Sequence, residues 1–138
     1  MNKNLSILKC LLLLGSIYFF GVSVAHLFSL KIPGLFVYFN VPSYAYQDKI
    51  ISFLAFGWAI SLFIGFIDPM TNKGIMKSFI IAGFGAIIGL LIINFSIDFN
   101  ELAKNTNRNI FLIETIVLAV YLSMLTVFYF LTTHRNKK

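Results

Sequence analysis

Charge is scarce in this sequence. Asp, Glu, Lys and Arg make up 12% of its 138 residues, where a soluble domain carries about 25%. A water-facing globular surface needs those groups, so a soluble domain is excluded. Cysteine occurs once, at Cys10, which excludes an internal disulfide and a CxxC redox pair. Its expected role is that of a small buried apolar side chain. The only histidines are His26 and His134. A zinc site takes several ligands, and only His26 and Glu114 fall at a shared depth, so no metal is expected. The two histidines lie near opposite membrane faces, which excludes a bis-histidine haem. No phosphate-binding glycine loop, GxSxG or HExxH pattern occurs. Neither a cofactor nor a catalytic residue is therefore expected.

What the chain has in excess is apolar residues, at 59% of the total and a mean hydropathy of +0.87. One domain is expected at this length, residues 1–138. Its own core cannot hide so much apolar surface, and the lipid bilayer is the expected partner. Four runs reach the roughly 17–25 residues needed to cross a bilayer. They cover about 5–30, 50–67, 75–97 and 110–131. "KIPG", "DPMTNKG", "DFNELAKNTNRN" and the closing "HRNKK" follow them in turn. Pro33, Pro69 and Gly74 mark helix breaks. Asp98 followed by Glu101 has capping-box spacing, which predicts a short surface helix in the last loop. The fold class is thus an all-α integral membrane protein, with four transmembrane helices in an antiparallel bundle.

Basic residues orient it. Lys3, Lys9, Lys73, Lys77, Arg135, Lys137 and Lys138 lie on one side, and Lys31, Lys49, Lys104 and Arg108 on the other. The excess predicts cytoplasmic termini in a plasma or inner membrane. The +6 net charge needs no nucleic acid, because these residues sit at helix ends where anionic headgroups attract them. No continuous basic face is visible. "MNKNLSILK" and "SVA" resemble the ends of a signal peptide. However, the apolar run continues to Leu30, past the usual ~7–15 residues, and the first span is expected to be retained.

Small residues recur at spacings of four, which lets membrane helices approach closely. Gly57, Ser61 and Gly65 form one stripe, Ser78, Ala82 and Ala86 (with Gly85 and Gly89 alongside) a second, and Thr115, Ala119 and Ser123 a third. Gly57 and Gly85 are expected at helix contacts. Trp58, near mid-span, is expected to pack in the core.

Two ionisable groups interrupt the apolar runs. His26 lies about 7 Å inside the end of its span, Glu114 about 9 Å and Asn94 about 6 Å, at ~1.5 Å per residue. All three ends are on the same side, so the three residues share one leaflet. An ionisable group in a span marks function by default, and His26 with Glu114 is the expected coupled pair. Above them runs an aromatic loop, residues 31–49, with Phe36, Tyr38, Phe39, Tyr44 and Tyr46. It reads as an interfacial belt, or as a lid in which Tyr44, Gln47 and Asp48 add polar groups over His26. The candidate binding residues are His26, Glu114, Asn94, Tyr44, Gln47 and Asp48. The leading expectation is a non-catalytic accessory or small-ligand-binding module with this polar cluster in the outer leaflet. A partner membrane protein or a second copy would suit an accessory role. The alternatives are a proton-linked carrier using Glu114 and His26, and a redox subunit acting on a lipid or quinone.

Overall fold

The computed structural model describes residues 3–33, 38, 40–102 and 108–135. Phe36, Phe39, Lys104, Lys137 and Lys138 of the foregoing reading lie outside them. Four long helices cross the expected membrane: α1 (Lys3–Leu27), α2 (Ala45–Ile67), α3 (Lys73–Ser96) and α5 (Arg108–Arg135). The short surface helix is present as α4 (Phe99–Leu102). The chain is an all-helical, multi-pass membrane bundle.

Two helix ends differ from the sequence reading, and both matter for the site. α1 stops at Leu27 rather than Leu30. Ser29 adopts φ 52°, while the Leu30 amide bonds Ala25 O at 2.8 Å and the Ser29 amide bonds His26 O at 3.1 Å. This is a Schellman stop with serine in the left-handed position usually held by glycine. α2 begins five residues early, at Ala45. Pro42 and Ser43 precede it, the Tyr44 amide donates to Gln47 Oε1 at 3.0 Å, and Asp48 lies in its first turn. That turn has the features of a helix start.

α1 and α2 form the most extensive pair. Polar contacts run along their seam: Lys9 Nζ to Ile67 O at 2.9 Å, Ser16 Oγ to Ala59 O at 2.9 Å, and Ser23 Oγ with Ser52 Oγ at 3.3 Å. As α1 advances, its partner on α2 retreats, as antiparallel helices require. In lipid such bonds hold helices together because apolar packing alone gives little net preference. α5 then joins α1 to α3. Tyr121 donates to Leu11 O at 3.0 Å, and Asn94 Nδ2 donates to Thr115 Oγ1 at 3.0 Å, in full burial.

α2 and α3 scarcely touch, although a short turn joins them. Asp68 accepts bonds from the Met70 and Thr71 amides and the Thr71 hydroxyl there. The Thr71 side chain and amide hold the Asp68 carboxyl below its usual range. The helices therefore form an open ring in the order α2, α1, α5, α3. Its packed core of Leu8, Leu12, Leu62, Met76, Leu125 and Tyr129 belongs to the half nearest the termini. The half nearest the first loop is less filled.

The close-approach glycines are not the expected ones. Gly57 and Gly85 are exposed, and a Cβ on either would meet nothing within 4 Å. Gly15, Gly65 and Gly83 hold the contacts instead, against Tyr121, Met76 and Leu122 respectively. Ser78 and Ala82 are also exposed, and so is Ala86. Cys10 is exposed on α1 rather than buried.

Candidate functional site

The loop-side half of the bundle contains a cavity of about 420 Å³. Its floor is aromatic. Trp58 stacks on Phe19 with centroids 5.7 Å apart, and Phe79 meets it edge-on at 4.7 Å. Trp58 thus packs in the core as expected and also lines the cavity. Val22, Ile51, Ala86, Ile87, Leu90, Leu118 and Tyr121 are among the wall residues, contributed by all four long helices. Nearly all of this lining is apolar.

The polar end lies at the top. His26, in the last turn of α1, places Nδ1 3.1 Å from Asp48 Oδ1. A carboxylate can only accept, so Nδ1 is the donor. Ser43 Oγ donates to the same oxygen at 2.9 Å. Asp48 is only 6% exposed, which makes these two donors essential to it. The α2 N-terminus favours the arrangement, because a carboxylate suits the positive end of a helix. From Asp48 to Trp58 is ten residues of α2, or about 15 Å at ~1.5 Å per residue. The cavity is therefore elongated, polar at one end and aromatic at the other.

Tyr38, Val41, Pro42 and Ser43, described residues of the first loop, line this end of the cavity as a roof. Tyr38 stacks on Phe99 at 5.5 Å and meets Phe111 edge-on at 5.1 Å. Its hydroxyl donates to Leu90 O at 3.4 Å. The loop leaving α1 is in this way fastened to α3, α4 and α5. Burial pushes the Tyr38 phenol up to about 12. Lys31 Nζ reaches back across the loop to Val41 O at 3.2 Å.

The six sequence-derived candidates separate. His26 and Asp48 come together. His26 Nδ1 lies 3.1 Å from Asp48 Oδ1, a neighbour that depth alone does not point to. Glu114 is half-buried and near enough to Tyr18, a cavity residue, to act on it electrostatically. Asn94 is committed to the α3–α5 seam through Thr115. Gln47 serves the start of α2. Tyr44 is 70% exposed and stacks on exposed Tyr46 at 5.9 Å, as an interfacial belt would. Among the described aromatics of this segment, Tyr38 lines the cavity, whereas Tyr44 and Tyr46 are exposed. Sequence reasoning missed Ser43, Tyr18 and Phe79, none of which carries a motif. Among the described residues, no group of three metal-binding side chains occurs.

Ile51 and Ala86 at its edge are exposed, so the cavity is not sealed. An apolar occupant would complete the contacts of its walls, and the single polar end can orient it. No protein-family model, curated protein or solved structure matches the chain.

Proposed function

We propose that this protein is a non-catalytic membrane module that binds a small, largely apolar ligand, with the His26–Asp48 pair holding the ligand's polar end. The observation that carries this reading is the elongated cavity itself, which has one hydrogen-bonding end and otherwise apolar walls. Ligand pockets typically combine an apolar lining with a few placed polar groups, at ~300–1,000 Å³. The excess of basic residues beside the termini supports cytoplasmic termini. That orientation puts the cavity in the outer leaflet.

The reading has a built-in reporter, since Trp58 is the chain's one tryptophan and lies in the cavity floor. Titration of the reconstituted protein with 4-bromophenol, a small quencher with one hydroxyl, should quench Trp58 saturably. His26→Ala should weaken binding by about fivefold, the worth of one hydrogen bond. Quenching that rises linearly without saturating would count against a site.

A proton-linked carrier is the second reading, favoured by Glu114, an ionisable and half-buried group within the span of α5. Glu114→Gln should abolish pH-dependent solute uptake by a carrier. It should leave bromophenol binding nearly unchanged in a binding module.

A further inference from the structure

The way into the cavity follows from how the helices are joined. α1 is packed against both α2 and α5, and α5 against α3. Only α2 and α3 are loosely apposed. Nearest the termini that gap is filled by Met76 against Gly65 and by Trp58 against Phe79. Above Trp58 the cavity is bordered by Ile51 of α2 and Ala86 of α3, and both are exposed. The top is covered differently. Tyr38 is fastened to Leu90, Phe99 and Phe111, and Lys31 to Val41. Among the described residues, the cavity is open toward lipid and covered toward water.

The polar end restricts the headgroup. Asp48 already accepts from His26 and Ser43. An anionic head would meet that carboxylate, which lines the cavity. A cationic head would meet Lys31, which also lines the cavity. An uncharged head can instead donate to the Tyr38 or Tyr121 hydroxyl, each of which donates to a backbone carbonyl and keeps acceptor capacity, without a like-charge contact. The apolar body would occupy the space between Phe19, Phe79 and Ile87.

We propose that the gap between α2 and α3 is a lateral gate through which a single-chain amphiphile with an uncharged hydroxyl head passes from the surrounding leaflet into the cavity. This rests on the ligand-binding reading above and adds the source and class of the ligand. The polar end selects the head, the aromatic floor stops the chain, and any excess chain length extends between α2 and α3 into the lipid.

Trp58 fluorescence tests the proposal in phosphatidylcholine–phosphatidylglycerol vesicles, with a chain-brominated long-chain alcohol as probe. Quenching should saturate with probe content, and unbrominated hexadecanol should reverse it. Palmitate at pH 8 and hexadecylamine should each need a roughly tenfold higher membrane fraction, because a charged head is costly to bury unpaired. Ala86→Phe should slow the onset of quenching several-fold after mixing. Ile51→Phe should do the same from the opposite edge. Both positions are exposed, so the fold should tolerate them.

Equal displacement by all three heads would overturn the uncharged-head assignment. Parental rates in both phenylalanine variants, with faster access in Tyr38→Ala, would place the route over the roof and overturn the lateral gate. Saturable bromophenol binding without saturable alcohol binding would leave the ligand-binding reading standing and remove this proposal. Failure of both titrations would remove both.

Discussion

His26→Ala is expected to destabilise the bundle by roughly 2–4 kcal/mol, because a buried carboxylate that loses a donor costs more than the ~1–3 kcal/mol of a neutral group. The buried Asp48 carboxylate would keep only Ser43 as a donor. Asp48→Ala should cost somewhat less, roughly 1–3 kcal/mol, the cost of leaving one polar group without its partner. The double variant should lose little beyond the worse single variant, with a coupling of about 1–3 kcal/mol. Unfolding in detergent measures all three. Losses that simply add would mean the two side chains do not meet. The pair joins the end of α1 to the start of α2, so its loss should also loosen the polar end of the cavity.

A single methyl group at Gly15 should have an effect of similar size. Its Cβ would collide with the Tyr121 hydroxyl and lie 2.9 Å from Tyr121 Cζ and 3.1 Å from Leu62 Cδ1. Tyr121 cannot swing aside freely, because its ring is rigid and its hydroxyl is bonded to Leu11 O. Gly15→Ala should therefore cost roughly 1–3 kcal/mol by overpacking. Gly57→Ala and Gly85→Ala have open space at Cβ, and should be neutral or stabilising by up to about 1 kcal/mol through reduced chain entropy. The same unfolding assay reads the opposite signs. A Gly15→Ala variant as stable as the parent would contradict the α1–α5 contact described here.

The difference between these glycines shows what was legible in the sequence and what was not. The four spans were legible because an apolar run of membrane length ending at proline, glycine or charge has few other solutions. The inward faces were harder. Where every face of a helix is apolar, hydrophobic periodicity does not separate inside from outside. Spacings of four marked Gly57 and Gly85 as readily as Gly65. The polar residues carried more information: Ser16, Ser23 and His26 trace the α1 face that meets α2.

Depth was also legible, and it placed His26, Asn94 and Glu114 in one leaflet. It could not choose partners. Asp48 was read as part of a loop because Tyr44–Lys49 is polar. Pro42 and Ser43 before Gln47 and Asp48 form a helix-start pattern that would have brought the acid into α2. The cavity had no sequence signal at all. It goes with the loose apposition of α2 and α3, which no single residue encodes.

The open ring has a mechanical consequence. A closed bundle resists squeezing from every side, but this one is compliant along one direction. The α1–α2 hairpin and the α3–α5 pair meet through α1 and α5, and that line can act as a hinge. Lateral pressure from tightly ordered lipid chains would press the loop-side halves of α2 and α3 together and shrink the space between them, while the turn and the Trp58–Phe79 contact keep the other halves in place. A disordered or thinned leaflet would let them spread. Occupancy of the cavity would then vary with the packing of the surrounding bilayer as well as with ligand concentration.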